Sequence, residues 1–226
     1  GSTCSTHGAA RGCSVASRLT ALQLELLEAF FERCDAFFLT GGAALVQFHL
    51  GHRSTLDLDL FTTDERLEDG ERALEAAARS LGASVERVQT APDFRRRVVK
   101  RGAESVVVDL VRERVEQGAR AKLLVGRIRV DPPEEILANK LCTLLSRAEL
   151  RDLVDAMHLE RIGCSLSEAL ALGARKDGGL TPAQLAWVLG ELRIGDDARS
   201  PDGSSPQALR DYVRDLRTRL ESAAFP

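Results

Sequence analysis

The pattern of apolar and polar positions divides the chain into a mixed α/β part and an all-helical part. Helical periodicity in residues 18–33 and 64–81 alternates with short apolar runs, many of them rich in β-branched residues, that predict strands. The predicted strands are 35–40, 56–61, 83–89, 94–100, 105–111 and 123–130. Later apolar positions three and four apart predict helices at 134–146, 148–162, 166–174, 182–192 and 206–224. The fold class we expect is α/β (α+β), a mixed twisted sheet with helices followed by a C-terminal helical bundle.

A helix-start signal marks the boundary between the two parts. Asp131 precedes Pro132 and Pro133, so we expect Asp131 to cap a helix whose first turn tolerates proline. The prediction is a sheet domain at 18–130 and a helical domain at 131–226. Residues 1–17 are small and polar and lack the apolar stretch of a secretory signal. We interpret residues 1–17 as disordered or tag-derived.

Composition favours a soluble, intracellular protein. Of 226 residues, 44% are hydrophobic and 29% are charged, which is ordinary for a globular domain. No apolar run approaches the roughly 18 residues of a membrane-spanning helix. Five cysteines without a CxxC pair argue against a disulfide framework or a zinc site. We therefore expect a cytoplasmic protein with no membrane association.

Positive charge is concentrated in the middle of the chain. Residues 94–130 contain 11 Lys and Arg against 4 Asp and Glu, while the net charge of the whole chain is -3. Such a block supplies affinity for phosphate backbones, which predicts binding of nucleic acid or polyphosphate. The alternative is that these arginines are simply the polar, solvent-facing residues of strands.

The most informative stretch is 40–61, TGGAALVQFHLGHRSTLDLDLF. Gly41 and Gly42 follow a predicted strand and precede a predicted helix at 43–50, which Gly51 ends. A glycine pair at such a turn lets the backbone approach a phosphate, with the N–H groups of the next helix pointing at it. We therefore predict nucleotide binding at Gly41 and Gly42.

Two aspartates close this stretch. Alternation places Asp57 and Asp59 on one face of a strand and Leu56, Leu58 and Leu60 on the other. Adjacent carboxylates repel, and Mg²⁺ is commonly held by one or two carboxylates together with substrate phosphates. A metal site is one interpretation, and a solvated edge strand is the other.

A third acidic residue interrupts a strand that is otherwise apolar and β-branched. Asp109 stands alone within SVVVDLV, and a carboxylate in such a strand needs a partner. The partner is either a cation shared with the other aspartates or one of the nearby arginines.

The glycine turn, helix and DxD motif together resemble the polymerase-beta-like nucleotidyltransferase superfamily. The stretch resembles more closely the first motif of AbiEii-type toxin nucleotidyltransferases, including the mycobacterial MenT group. The resemblance implies that Asp57, Asp59 and Asp109 hold Mg²⁺ or Mn²⁺ and that an NTP is the substrate. One departure is Ala43, since several relatives have Ser or Thr directly after the glycine pair.

A second stretch, residues 132–159, carries the same resemblance. AbiEii-type proteins have a lysine on one helix and R-x-x-x-R-D-x-x-D on the next, and this chain has both, at Lys140, Arg147, Arg151, Asp152 and Asp155. The resemblance assigns Lys140 to nucleotide phosphates and Asp152 to the catalytic site. The alternative for Lys140 is a lysine snorkelling at the domain surface. Asp155 either joins the site or holds Arg147 or Arg151.

Arg53 and two histidines follow the first motif. Arg53 matches the R-x-S/T of the family in part, and we expect it to bind a phosphate or to brace Asp57. His49 and His52 are separated by a helix-ending glycine, so we interpret His49 as a packing residue and His52 as a turn residue rather than as a metal site.

These residues lead to one functional prediction. The chain resembles a metal-dependent enzyme that transfers NMP from an NTP to an acceptor hydroxyl, with RNA (the 3′ end of a tRNA) as the leading acceptor. It would act as the toxin of a type IV-like toxin–antitoxin or phage-defence system, with a cognate antitoxin protein as a partner. The alternatives are an inactive nucleotide- or protein-binding module of the same fold and an antibiotic-modifying adenylyltransferase.

Overall fold

A seven-stranded mixed sheet forms the centre of the molecule. The computed structural model describes residues 19–118 and 121–224, so the interpretation of residues 1–17 lies outside the described part. The strands follow the order β3-β4-β5-β2-β1-β7-β6 across the sheet. They are β1 (Phe38–Thr40), β2 (Asp57–Thr62), β3 (Ser84–Ala91), β4 (Phe94–Arg101), β5 (Glu104–Arg112), β6 (Leu123–Val125) and β7 (Ile128–Val130).

Helices precede, interrupt and follow the sheet. Within the described residues they are α1 (Ala21–Phe31), α2 (Gly41–Ala44), α3 (Leu67–Ser80), α4 (Pro133–Arg147), α5 (Leu150–Arg161), α6 (Leu166–Lys176), α7 (Pro182–Glu191) and α8 (Pro206–Ala224). A π-helical segment, Leu45–His49, continues α2. The predicted α/β fold with C-terminal helices is confirmed.

Three local predictions were wrong. The predicted strand 123–130 is a hairpin, because Gly126 adopts a φ of 60° and turns the chain between β6 and β7. Asp131 does not cap α4: the N-cap residue is Pro132, and the Asp131 carboxylate lies 2.6 Å from Lys122 Nζ. Leu56 precedes β2 and is 71% exposed, so it does not share the core face with Leu58 and Leu60.

The register of β2 positions the candidate site. β2 pairs in parallel with β5, which places Asp59 beside Asp109, and antiparallel with β1, which places Thr40 on the other side of Asp59. Leu58 and Leu60 point into the core and are almost fully buried. The odd-numbered side chains of β2 therefore face away from the core, towards the C-terminal helices.

One continuous apolar core includes residues from both predicted parts of the chain, among them Leu58 on β2 and Leu137 and Leu141 on α4. α4 packs against α5, α6 and α7, and it also contacts the π-helical segment. α4 therefore joins the sheet to the remaining helices. The domain boundary at residue 131 remains a prediction. In the described part of the chain, none of the helices is long and apolar enough to cross a membrane.

Candidate active site

Three aspartates lie on one face of the sheet. Asp59 and Asp109 are direct register partners on parallel strands, so their side chains point to the same side, and Asp57 precedes Asp59 by two residues on β2. Burial raises the pKa of Asp59 to about 6, with further upward contributions from the charges of Asp109 and Asp57. Lys140 opposes this shift. The sheet has therefore brought like charges together in a half-buried position.

Asp109 has an arginine partner. Arg96 lies opposite it on β4, and the guanidinium donates from Nε and Nη2 to the two carboxylate oxygens at 2.8 and 2.7 Å. Of the two partners that the sequence left open, the structure shows the arginine. Asp57 and Asp59 differ from Asp109, because no described residue donates a hydrogen bond to either of them.

The glycine pair is packed against two site residues. Gly41 has a φ of +64°, and a Cβ there would lie 2.3 Å from Asp59 Oδ2. A Cβ at Gly42 would lie 2.8 Å from Arg53 Nη2. Glycine at both positions therefore allows the turn to close over Asp59 and over Arg53, in addition to any contact with phosphate.

A buried ion-pair network lies behind this turn. Arg53 donates two hydrogen bonds of 2.8 Å to Asp155, whose carboxylate also bonds His52 Nε2 at 2.8 Å and Lys140 Nζ at 2.7 Å. Burial raises the pKa of Asp155, but the hydrogen bonds from Arg53 and His52 and the charge of Lys140 outweigh it and hold this pKa well below its usual range. The partner of Arg53 is thus Asp155, not Asp57.

Asp152 completes the network on the side of the helices. It accepts from Lys140 Nζ at 2.8 Å and from Arg147 Nε at 2.9 Å, and it is fully buried. Lys140 is therefore held between two carboxylates rather than snorkelling at a surface. Arg151 pairs with Glu149 at 2.7 Å on the exposed side of α5.

A cavity of about 570 Å³ opens beside the network. Four of the sequence-derived residues, Gly41, Asp59, Lys140 and Arg147, lie on its wall. Asp57, Asp109, Gly42, Arg53 and Asp152 are not part of the wall. The volume is typical of a site for a small organic ligand.

A protein-family model described as "Nucleotidyl transferase AbiEii toxin, Type IV TA system" matches residues 25–224. The chain belongs to the AbiEii nucleotidyltransferase toxin family. Its enzyme class is accordingly nucleotidyltransferase. No curated protein sequence matches the chain significantly.

Solved structures share the AbiEii fold seen here. MenT4, a nucleotidyltransferase toxin from Mycobacterium tuberculosis, is 18% identical, with a TM-score of 0.56 over 88% of this chain and 82% of MenT4. A candidate nucleotidyltransferase from H. pylori is 19% identical, with a TM-score of 0.52 over 90% of this chain and 98% of that protein. JHP933 from Helicobacter pylori is 19% identical, with a TM-score of 0.50 over 90% and 95%. At these identities the likeness concerns the fold.

The donor set of this AbiEii protein fits a hard divalent cation. Asp57 and Asp59 offer carboxylate oxygens without hydrogen-bond donors from the described residues, and burial together with the charges of Asp109 and Asp57 raises the pKa of Asp59. Within residues 19–118 and 121–224, no group of three or more His, Cys, Asp or Glu side chains is already arranged to hold a metal ion. Such an arrangement suits Mg²⁺, which commonly combines one or two carboxylates with substrate phosphates and water.

The basic block of the AbiEii chain is largely neutralised. Eight of its residues pair with carboxylates. They are Arg95, Arg96, Arg97, Lys100, Arg101, Arg112, Arg114 and Lys122. Most of this charge is therefore compensated by neighbouring carboxylates.

Some site residues were missed in the sequence. Asp155 was left with several partners and His52 was interpreted as a turn residue, yet both belong to the buried network. Two further residues of the cavity wall, Asn139 and Lys176, were not predicted. The one available signal was helical spacing, because Asn139 lies one turn after Ile136 and directly before Lys140 on α4.

Proposed function

We propose that the protein transfers NMP from an NTP to an acceptor hydroxyl at the cavity beside Asp59. The observation that carries this proposal is the pair of carboxylates without hydrogen-bond donors, Asp57 and Asp59, next to Lys140 at a cavity of nucleotide size. Membership of the AbiEii family supports the same reaction class.

Lys140 is the residue that we assign to the triphosphate. Its ammonium donates to Asp152 and forms an ion pair with Asp155, and it remains accessible to substrate because the side chain, 10% exposed, reaches the cavity wall. The two carboxylates hold this ammonium in place before substrate binds, so it neutralises phosphate charge without reorganisation.

Arg53 and Asp152 act as positioning residues in this proposal. Arg53 packs under Gly42 and fixes the glycine turn relative to α5, while Asp152 joins Lys140 to Arg147. Gly41 and Gly42 bring the backbone of the turn against Asp59, where the phosphates enter.

Asp57 and Asp59, with Asp109 as the third ligand, would hold Mg²⁺ or Mn²⁺. When bound, the metal would neutralise the negative charge that develops in phosphoryl transfer and would lower the pKa of the attacking hydroxyl. Asp109 joins this set once it releases Arg96.

We propose RNA, and in particular the 3′ end of a tRNA, as the acceptor, and a cognate antitoxin as a protein partner. The match to a family described as a type IV toxin–antitoxin toxin supports the antitoxin partner. The RNA acceptor is the part of the proposal that the labelling experiment below tests. The cytoplasm is the proposed compartment, since NTPs and RNA are found there and the cysteines of the described part, Cys34, Cys142 and Cys164, are free thiols.

The test is incubation of the purified protein with each α-labelled NTP, Mg²⁺ and total cellular RNA, followed by a denaturing gel. We expect label to appear on RNA for the wild type and to be lost for Asp59→Asn, because the variant lacks a metal ligand. Asp69→Asn, on the exposed face of α3, is the matched control and should keep full transfer. Undiminished transfer by Asp59→Asn would contradict the proposal.

A second variant tests the role of Asp109. Arg96→Gln frees both oxygens of this carboxylate and removes a positive charge, so half-maximal transfer should need roughly three- to tenfold less Mg²⁺, as expected for about 1 kcal/mol of interaction. Arg87→Gln, which removes an exposed charge paired with Glu75, is the control. An unchanged Mg²⁺ requirement in Arg96→Gln would exclude Asp109 as a ligand.

A further inference from the structure

The wall of the cavity includes residues suited to a subsite for a flat heteroaromatic ring. Phe61 is on the same face of β2 as Asp59, about 7 Å further along the strand, and both line the cavity. Ile136, Val115 and Cys142 add apolar surface. A ring packed against Phe61 would lie about 7 Å from Asp59. This distance is similar to that between the phosphates and the base of a nucleotide.

One polar side chain in this subsite has a fixed orientation. Asn139 Oδ1 accepts a hydrogen bond of 2.8 Å from Lys176 Nζ. An ammonium group only donates, so a flipped amide would place its NH₂ against the charge and is excluded. The oxygen of Asn139 is therefore directed at Lys176.

Lys176 is itself held rigidly. It pairs with Glu135, and the side chains of the two residues are 4% and 0% exposed. Glu113 also lines the cavity near Lys176, where burial raises its pKa and the charge of Lys176 opposes that rise. The ammonium of Lys176 thus remains in place whether or not a ligand is bound.

The amide NH₂ of Asn139 is consequently presented to the ligand. No described residue accepts a hydrogen bond from Asn139 Nδ2, and the side chain lies on the cavity wall. We infer that Asn139, oriented by Lys176 and Glu135, reads the nucleobase of the NTP by donating a hydrogen bond to an acceptor on the base edge. This inference rests on the proposed nucleotidyl transfer and names the residue that selects among the four NTPs.

The inference predicts a reversal of base preference. Uracil and cytosine exchange a donor for an acceptor at positions 3 and 4, and guanine and adenine do so at positions 1 and 6, so these are the edge positions that the inference assigns to Asn139. Asn139→Asp replaces the fixed donor by an acceptor, so the ratio of Kd values within the UTP/CTP pair, the GTP/ATP pair, or both should invert. The expected change is about tenfold or more, as for other base-edge hydrogen bonds.

The measurement is equilibrium binding of ATP, GTP, CTP and UTP to the full chain with Mg²⁺, by calorimetry and without acceptor. Ratios within a pair are used because the added carboxylate weakens binding of every triphosphate to a similar extent. Asn139→Ala, the second variant, should bring the ratios close to one, and circular dichroism would establish that each variant is folded.

The orienting pair has its own test. Lys176→Met combined with Glu135→Met removes the ammonium together with the buried carboxylate that pairs with it. The amide of Asn139 then turns freely and offers either its donor or its acceptor. The ratio of Kd values within each pair of NTPs should therefore approach one, while the Kd of the preferred NTP rises only modestly.

Two results would overturn the inference: equal binding of all four NTPs by the wild type, or an unchanged preference in Asn139→Asp and Asn139→Ala. Failure of the proposed function is a different result. If preference inverts as expected but the wild type transfers no label to RNA or to any other acceptor, base reading stands and nucleotidyl transfer is refuted.

Discussion

Asp59 is the residue at which stability and function oppose each other. Its side chain lies beside Asp109 and near Asp57, and its pKa is raised to about 6 by burial and by these two charges. An unfolded chain ionises this carboxyl near its ordinary value of 3.8, so at neutral pH the folded chain bears a cost for holding the charge. A bound cation would relieve that cost.

This cost predicts a pH-dependent gain for Asp59→Asn. Between about pH 4 and 6 the native state binds more protons than the unfolded state, so stability falls as pH rises through this window. Without metal, Asp59→Asn should therefore be more stable than the wild type at pH 7 by an amount on the order of 1–3 kcal/mol, and the gain should vanish near pH 4. Urea unfolding in EDTA at both pH values measures it.

Asp69→Asn provides the control for that experiment. The pKa of Asp69 is lowered by its hydrogen bond from Arg66, so this substitution should lose rather than gain stability above pH 4. Equal stability of wild type and Asp59→Asn at pH 7 would contradict the electrostatic account of the site.

At the scale of elements, the turn between β1 and α2 brings the backbone to the site. Gly41 begins the helix with a left-handed φ, and the next residues widen into a π-helical segment that ends before Gly51. The turn closes directly over Asp59, so any side chain at position 41 would displace that carboxylate.

Gly41→Ala tests this packing against a matched glycine. Gly102 has a similar φ of +59°, in the turn between β4 and β5, and nothing lies within 4 Å of a Cβ there. Both alanine variants should lose about 1–2 kcal/mol for the left-handed conformation. Only Gly41→Ala should lose nucleotidyl transfer by tenfold or more, because its Cβ collides with Asp59. Equal activity of the two variants would show that the turn shifts to accommodate the Cβ without disturbing Asp59.

At the scale of the whole molecule, a single carboxylate joins the sheet part to the helices. Asp155 on α5 binds Arg53 and His52 from the segment before β2, and Lys140 from α4. The ring of His52 also packs against that of His158, with centroids 4.6 Å apart and an interplanar angle of 42°. These contacts add a polar connection to the continuous apolar core.

Asp155→Asn should therefore be strongly destabilising. Removing one charge from a buried network leaves the cations of Arg53 and Lys140 undercompensated, and breaking such a pair typically costs about 3–5 kcal/mol. The exposed pair of Arg66 and Asp69 provides the comparison, since Asp69→Asn should destabilise the protein far less than Asp155→Asn. Thermal and urea unfolding would measure the free energy of unfolding of the two variants. Similar losses of stability in both would mean that the buried network contributes little to the stability of the fold.

Local pattern alone was sufficient for most elements of the chain. Alternation in DLDLF assigned Asp57 and Asp59 to one face and Leu58 and Leu60 to the core, because side chains on a strand alternate by geometry. Helical spacing located α4 to α8 to within a few residues. The prediction of one strand at 123–130 was wrong, because Gly126 permits a turn that apolar periodicity does not reveal.

Partner choice was decided only by the tertiary structure. The sequence determined which side chains carry charge and which face of its own element each one occupies. It did not determine that Arg53 meets Asp155 about a hundred residues later, that Arg96 meets Asp109, or that Lys122 meets Asp131. The physical reason is that periodicity follows from the backbone geometry of a single segment, whereas an ion pair depends on how distant segments pack and on which carboxylate a cation can reach.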